Sequence, residues 1–257
     1  MARKKGKIYI GTSGWSYDWK SFYPKGVGSK KRLGYYSQHF STAEVNYSFY
    51  RLPKETMYQK WFAETEEDFI FTLKLSRFIT HIKKLKGIKS PLRDFCKRGK
   101  ALGAKLGPIL VQLPPSFQLD VKRLGYFLET AGQVKDELDL GHLRFVFEAR
   151  HASWFESSEQ RSEMLELLQS HKAAFVFAHS SKYPYPADEP VTSDVIYLRL
   201  HGPREMFGSA YGEEGLTPWA PKIKQWSQDG HTVFVYFNND MNEYAAHDAR
   251  RLKEILA

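Results

Sequence analysis

Eight short runs rich in Val, Ile, Leu, Phe and Tyr recur along the chain, at residues 8–13, 42–48, 69–75, 108–113, 144–148, 174–178, 195–200 and 232–238. Their spacing is that of a strand followed by a crossover. The intervals carry apolar positions at helical spacing. Pro53 opens a run with Met57, Trp61 and Phe62, and Ser90-Pro91 reads as an N-cap with proline at the first helical position. Asp120 precedes Val121, Leu124, Phe127 and Leu128, and Ser157 with Gln160 resembles a capping box ahead of Met164, Leu165, Leu167 and Leu168. Thr217-Pro218 starts a further helix and residues 243–256 form the last. Residues 179–194, rich in Pro and Ser, show no helical pattern. Eight strands alternating with helices predict an α/β fold, a single TIM-type (β/α)8 barrel with an irregular or missing helix between strands six and seven. No internal repeat, low-complexity tract or linker divides the chain, so residues 1–257 are expected to form one domain.

Alternate side chains of a strand face opposite sides, and in a barrel one set meets the helices while the other fills the interior. The set expected to face the helices is uniformly apolar: Leu73 and Leu75; Ile109, Val111 and Leu113; Phe145 and Phe147; Ile196, Leu198 and Leu200; Val233, Val235 and Phe237. The opposite set turns polar toward each strand's carboxyl end. It supplies Glu44 and Asn46, then Thr72, Lys74 and Ser76, then Gln112, then Glu148 and Arg150; the last two strands add Tyr197, Arg199 and His201, then Tyr236, Asn238 and Asp240. Isolated buried charges are costly, so this convergence predicts a solvated, mutually paired cluster at the end where barrels of this architecture place their active sites. Trp15, Tyr47, Phe49 and Tyr50 would wall it with apolar surface. The plainer alternative is a structural ion network of Glu44, Lys74, Glu148 and Arg199.

The net charge of +9 is concentrated. Residues 1–32 hold nine Lys/Arg against Asp18, residues 81–105 hold nine against Asp94, and the remainder is net acidic. Two basic zones favour an anionic partner, nucleic acid through residues 17–32 and 81–100 included, although lysines also serve solubility alone. Trp15, Tyr17, Trp19, Phe22 and Tyr23 interleave with Lys20 and Lys25, as in surfaces that stack bases; a hydrophobic lid over the barrel mouth has the same composition. No run reaches the length of a membrane helix, so no membrane partner is expected. The basic start Met1-Ala2-Arg3-Lys4-Lys5 leads into a strand and not a secretory segment, and the single cysteine, Cys96, excludes an internal disulfide, so a cytoplasmic location is expected.

Several chemistries fit the polar set. Glu44 and Glu148 form an acid/base pair of the glycosidase kind, yet Lys74, Arg150 and Arg199 would hold both ionised. Lys74 is either a Schiff-base amine or, by preference, an oxyanion ligand. Arg150, Arg199 and His201 complete an anion site, since guanidinium groups form paired hydrogen bonds to phosphate and carboxylate. The histidines show no zinc-ligand spacing, and the glycines of residues 11–14 and 202–215 match neither dinucleotide nor P-loop patterns. No cofactor or metal is expected; a metal site built from Glu44, Glu148, His201 and Asn238, with Mg²⁺ held by the carboxylates, is compatible with the sequence but has no spacing in its support.

GTSGWSY at 11–17, FYP at 22–24, EVNYSFYRLP at 44–53, FTLKLSRFITH at 71–81, GPILVQLPPSF at 107–117 and FEARHASW at 147–154 run through the amino half. YLRLHGP at 197–203, YG at 211–212, WAPKIKQW at 219–226 and VYFNND at 235–240 continue them. In this order, over nearly the whole chain, they resemble the domain of unknown function 72 group, the YecE-like proteins. The resemblance implies a TIM barrel and no established activity. Two positions depart from the pattern it implies. Ala178-His179-Ser180 stands where an aspartate is expected after strand six, which raises His179 or Asp188 as replacements, and His247-Asp248-Ala249 stands where asparagine is expected.

The expected function is therefore an enzyme, of hydrolase or lyase type, that binds a small phosphate- or carboxylate-bearing ligand at the mouth. Glu44, Glu148, Lys74 and His201 are the catalytic candidates; Trp15, Asn46, Gln112, Arg150, Arg199, Asn238 and Asn239 would bind substrate. A nucleic-acid-binding barrel, with or without phosphodiester cleavage, and a non-catalytic scaffold are the alternatives.

Overall fold

The computed structural model describes residues 4–257, so Met1, Ala2 and Arg3 of the basic start lie outside the described residues. The β-rich runs form parallel strands β1 (Ile8–Thr12), β2 (Thr42–Val45), β3 (Ile70–Lys74), β4 (Leu106–Gln112), β5 (Phe145–Glu148), β6 (Ala174–Phe175), β7 (Phe177–His179), β8 (Val195–Leu200) and β9 (Thr232–Phe237). Their order in the sheet is β6-β5-β4-β3-β2-β1-β9-β8-β7. Only Val176 separates β6 from β7, and its amide still bonds Phe147 O at 2.9 Å. One strand position thus pairs with β5 through its first half and with β8 through its second, which brings the two ends of the sheet together. The result is a TIM-type α/β barrel.

The helices are α1 (Arg32–Ser37), α2 (Tyr47–Tyr50), α3 (Glu55–Glu64), α4 (Lys89–Gly99), α5 (Val121–Glu137), α6 (Glu159–Ser170), α7 (Gly212–Leu216), α8 (Trp219–Gln228) and α9 (Tyr244–Leu256). No helix occurs in residues 180–194, as the sequence predicts. Asp120 caps α5, its Oδ1 accepting from Arg123 N at 2.9 Å. Two predicted caps differ. Ser158, not Ser157, caps α6 by accepting from Arg161 N at 3.1 Å, and α4 begins at Lys89, which puts Ser90 inside its first turn. The second strand ends early as well, because the chain turns into α2 after Asn46. Among the described residues no helix is long and apolar enough to cross a membrane.

Period two divides the core in two. Every residue predicted to face the helices lies in one large buried cluster, and Leu110, Val146, Ala174, Val176, Tyr197, Phe234 and Tyr236 form a second within the barrel. Above this apolar floor Tyr236 Oη joins Thr42 Oγ1 at 2.6 Å and Thr72 Oγ1 at 2.8 Å. That ring of hydroxyls begins the polar layer.

Candidate functional site

Glu44 is one pleat above Thr42 on β2, and Arg199 one pleat above Tyr197 on β8. The same alternation brings Glu148 inward from β5. Both oxygens of Glu44 are engaged: Oε1 accepts from Ser13 Oγ at 2.7 Å and Arg199 Nη2 at 2.6 Å, and Oε2 from Tyr197 Oη at 2.7 Å and Arg199 Nε at 2.9 Å. Arg199 Nη1 donates to Glu148 Oε2, while Glu148 Oε1 accepts from Arg150 Nε at 2.8 Å. The expected convergence is present, but the expected solvation is not. Arg199 and Glu44 are 0% exposed and Glu148 1%, because the fork of the guanidinium satisfies the carboxylates without water. Burial alone would raise both carboxyl pKa values. Arg199 foremost outweighs it, with Ser13 and Lys74 helping at Glu44 and Arg150 and His201 at Glu148, so both are held below the usual range. A magnesium ion would need these same oxygens, which are already bonded to guanidinium and hydroxyl donors.

Lys74 stands outside this network. Its side chain is half-buried at the end of β3, with Nζ 4.4 Å from the centre of the Phe49 ring and no hydrogen bond or ion pair among the described residues. Burial lowers its pKa to about 8; Arg199 and Arg150 add to the shift and the two glutamates oppose it. Arg150 continues outward, its guanidinium 4.8 Å from the Tyr183 ring centre. His81 also belongs here, delivered by a single π-helical turn at Phe78–Ile82 and packed edge-on against Phe49 at 5.0 Å between ring centres. Burial, then Lys74, Arg150 and Arg77, depress its pKa to about 4, leaving a neutral ring.

His201 is 1% exposed, with Nε2 3.2 Å from Arg199 Nη1 and Nδ1 3.1 Å from the Asn238 amide. Burial and then Arg199 lower its pKa to about 4. Asp240 is displaced in the opposite direction: burial raises it to about 7, Glu44 adds to this, and Tyr17 and Arg199 restrain it. Its Oδ1 has no hydrogen-bond partner among the described residues.

Beside the charges lies a cleft of about 280 Å³ lined by Ser13, Trp15, Tyr17, Asn46, Tyr47, Met57 and Trp61. Gly14, at φ +108°, turns the chain here and lets the aromatic loop fold over the barrel. Trp15 packs edge-on against Trp61 at 5.3 Å, and Asn46 donates to Ser13 O at 3.3 Å while its Oδ1 is buried without a partner among the described residues. Gln112 is buried next to Glu148 in register but donates to Leu113 O at 2.7 Å.

The structure does not bring Asn239 to this group. Adjacent to Asn238 and on the opposite face, it donates to Ser209 O at 3.0 Å and Asp248 Oδ2 at 2.8 Å. Asp248 also accepts from the amides of Tyr211 and Gly212 and so holds the start of α7. His179 likewise faces outward, with Nδ1 2.8 Å from Tyr211 Oη and its ring against Trp219, while Ala178 points into the barrel. Asp188 pairs with Arg161 at 2.7 Å on the surface. Neither takes the place of an aspartate at the mouth. Ser13 and His81 were not singled out by sequence reasoning. Ser13 continues the β1 alternation from Tyr9 and Gly11, a signal hidden by the glycine; His81 lies in an irregular turn that has no periodicity to read.

The basic zones are used partly for folding. Arg32 bonds Asp18 and two backbone carbonyls, Arg93 pairs with Glu137 at 2.6 Å, and Lys105 donates to Phe62 O and Thr65 O.

Barrel and mouth together define a TIM-barrel protein with a charged, partly aromatic cavity at the carboxyl ends of its strands. The chain belongs to the family described as protein of unknown function DUF72, which matches residues 9–257. It is 26% identical to UPF0759 protein YunF of Bacillus subtilis (strain 168) over 97% of this chain and 94% of that protein. It is likewise 26% identical to UPF0759 protein YecE of Escherichia coli (strain K12), over 86% and 82%. Among solved structures, a DUF72 family protein from Thermotoga maritima superposes with a TM-score of 0.82 at 28% identity, covering 97% of this chain and 99% of that one. A sugar phosphate isomerase/epimerase from Parabacteroides distasonis shares the fold, with a TM-score of 0.58 at 10% identity, covering 100% and 96%.

Proposed function

We propose that the protein is an enzyme that binds a small phosphate- or carboxylate-bearing ligand at the barrel mouth, with Lys74 and Arg150 as its anion ligands. One observation carries this reading: Glu44 and Glu148 spend their charge on Arg199 and Arg150, which leaves the Lys74 ammonium without a carboxylate. A cation in that position is completed by an anion from solution. Glu44 and Glu148, saturated and strongly ionised, are better suited to fixing the guanidinium groups than to moving protons. The groups poised near neutrality are Lys74, at about 8, and Asp240, at about 7, and each is a candidate for proton transfer in this reading. His201 and Asn238 orient Arg199, and the cleft of Trp15, Asn46 and Trp61 takes the uncharged part of the ligand.

Thermal melting with inorganic phosphate and a panel of sugar phosphates and small carboxylates tests the proposal. At 100 times the dissociation constant a ligand stabilises by about 2.7 kcal/mol, a readily measured rise in melting temperature. The wild type is expected to respond to at least one anion and Lys74→Ala to none. No response to any anion, or an equal response in Lys74→Ala, would overturn the reading.

A further inference from the structure

We propose that Lys74 is an imine-forming lysine, and that the ligand is an aldehyde or ketone that also carries a phosphate or carboxylate. The inference rests on the preceding reading only for the ligand's charged half. A lysine beside two glutamates ordinarily forms an ion pair. Here all four carboxylate oxygens are occupied, by Ser13, Tyr197, Arg199 and Arg150, and Nζ lies instead over the face of Phe49 at 4.4 Å. His81 packs edge-on against that ring as a neutral base. An amine that is desolvated, flanked by guanidinium groups and deprived of a counter-ion is the arrangement that produces a nucleophilic lysine.

In the reaction the neutral Nζ adds to the carbonyl carbon, and both of its protons end on the carbonyl oxygen, which departs as water from the carbinolamine. The product is a C=N bond to Lys74. The carbon next to it then loses a proton more easily, because the imine nitrogen accepts the electron pair.

Pyridoxal 5′-phosphate, an aldehyde bearing a phosphate, and pyridoxal, the same aldehyde without it, are the probes. Borohydride delivers hydride to the imine carbon, water protonates the nitrogen, and peptide mapping locates the secondary amine. One adduct per chain is expected, at Lys74, forming about a hundredfold faster at pH 7.5 than at surface lysines, which are far more fully protonated. Its rate should rise with pH and level off above about 8, since burial foremost, with Arg199 and Arg150 adding and Glu148 and Glu44 opposing, sets the protonation of Nζ, while the neighbouring His81 is neutral in that range. Lys74→Arg keeps the cation and serves as the folding control: it should melt normally, still respond to phosphate and form no adduct. A phosphate response in the wild type without an adduct at Lys74 overturns this inference and leaves anion binding standing. Equal labelling by pyridoxal and its phosphate, unprotected by inorganic phosphate, supports the imine and removes anion binding. Labelling spread over exposed lysines, unchanged in Lys74→Arg, overturns the inference.

Discussion

The Arg199 guanidinium lies between Glu44 and Glu148 with all three side chains closed off from solvent, and none of the three is tenable there alone. Replacing Arg199 by Leu would leave two carboxyls buried without their main counter-charge. The expected loss is about 3–5 kcal/mol at pH 7, read from urea unfolding. Acid separates this from an ordinary packing defect. Both carboxyls titrate below 4.5 in the folded protein, because Arg199 overrides the opposing effect of burial. The unfolded chain therefore takes up protons first as pH falls, so the stabilisation is complete above about 4.5 and is lost progressively below it. In Arg199→Leu the carboxyls should titrate upward, and the wild-type loss between pH 5 and 3 should shrink or vanish. An unchanged acid profile would mean that the network contributes nothing.

At the scale of elements, helix ends and strand faces obey rules of different precision. The Asp120 cap satisfies an amide that would otherwise face the barrel's exterior unbonded, so Asp120→Ala is expected to cost about 1 kcal/mol in chemical denaturation without altering any ligand response. Strand faces were fully legible, because a one-residue error would turn Leu198 inward and Arg199 outward, and no core tolerates that exchange. Caps were legible only to within a residue: Ser157 and Ser158 offer the same hydroxyl, and the helix begins after the second. The site was legible as a direction and not as a set of partners. Alternation says that Glu44, Lys74, Glu148 and Arg199 face inward; it does not say that Arg199 takes both glutamates and that Lys74 is left over. Asn239 follows the end of strand β9 at Phe237, and adjacent residues of an extended chain face opposite sides, so Asn238 turns to His201 while Asn239 turns to Ser209 and Asp248.

For the whole molecule, part of each basic zone is spent on folding. Arg32, Arg93 and Lys105 hold loops and helix ends in place, so a count of lysines and arginines overstates the charge available to a partner. Within the barrel the balance is tighter: two carboxylates face two guanidinium groups, and Lys74 is the cation in excess. Crystals soaked in tungstate, a heavy tetrahedral oxyanion, measure that excess directly by anomalous scattering. A peak is expected at the barrel mouth, with its oxygens about 3 Å from Lys74 Nζ and the Arg150 guanidinium. Peaks confined to exposed lysines of α4 or the first loop, with the mouth empty, would contradict it.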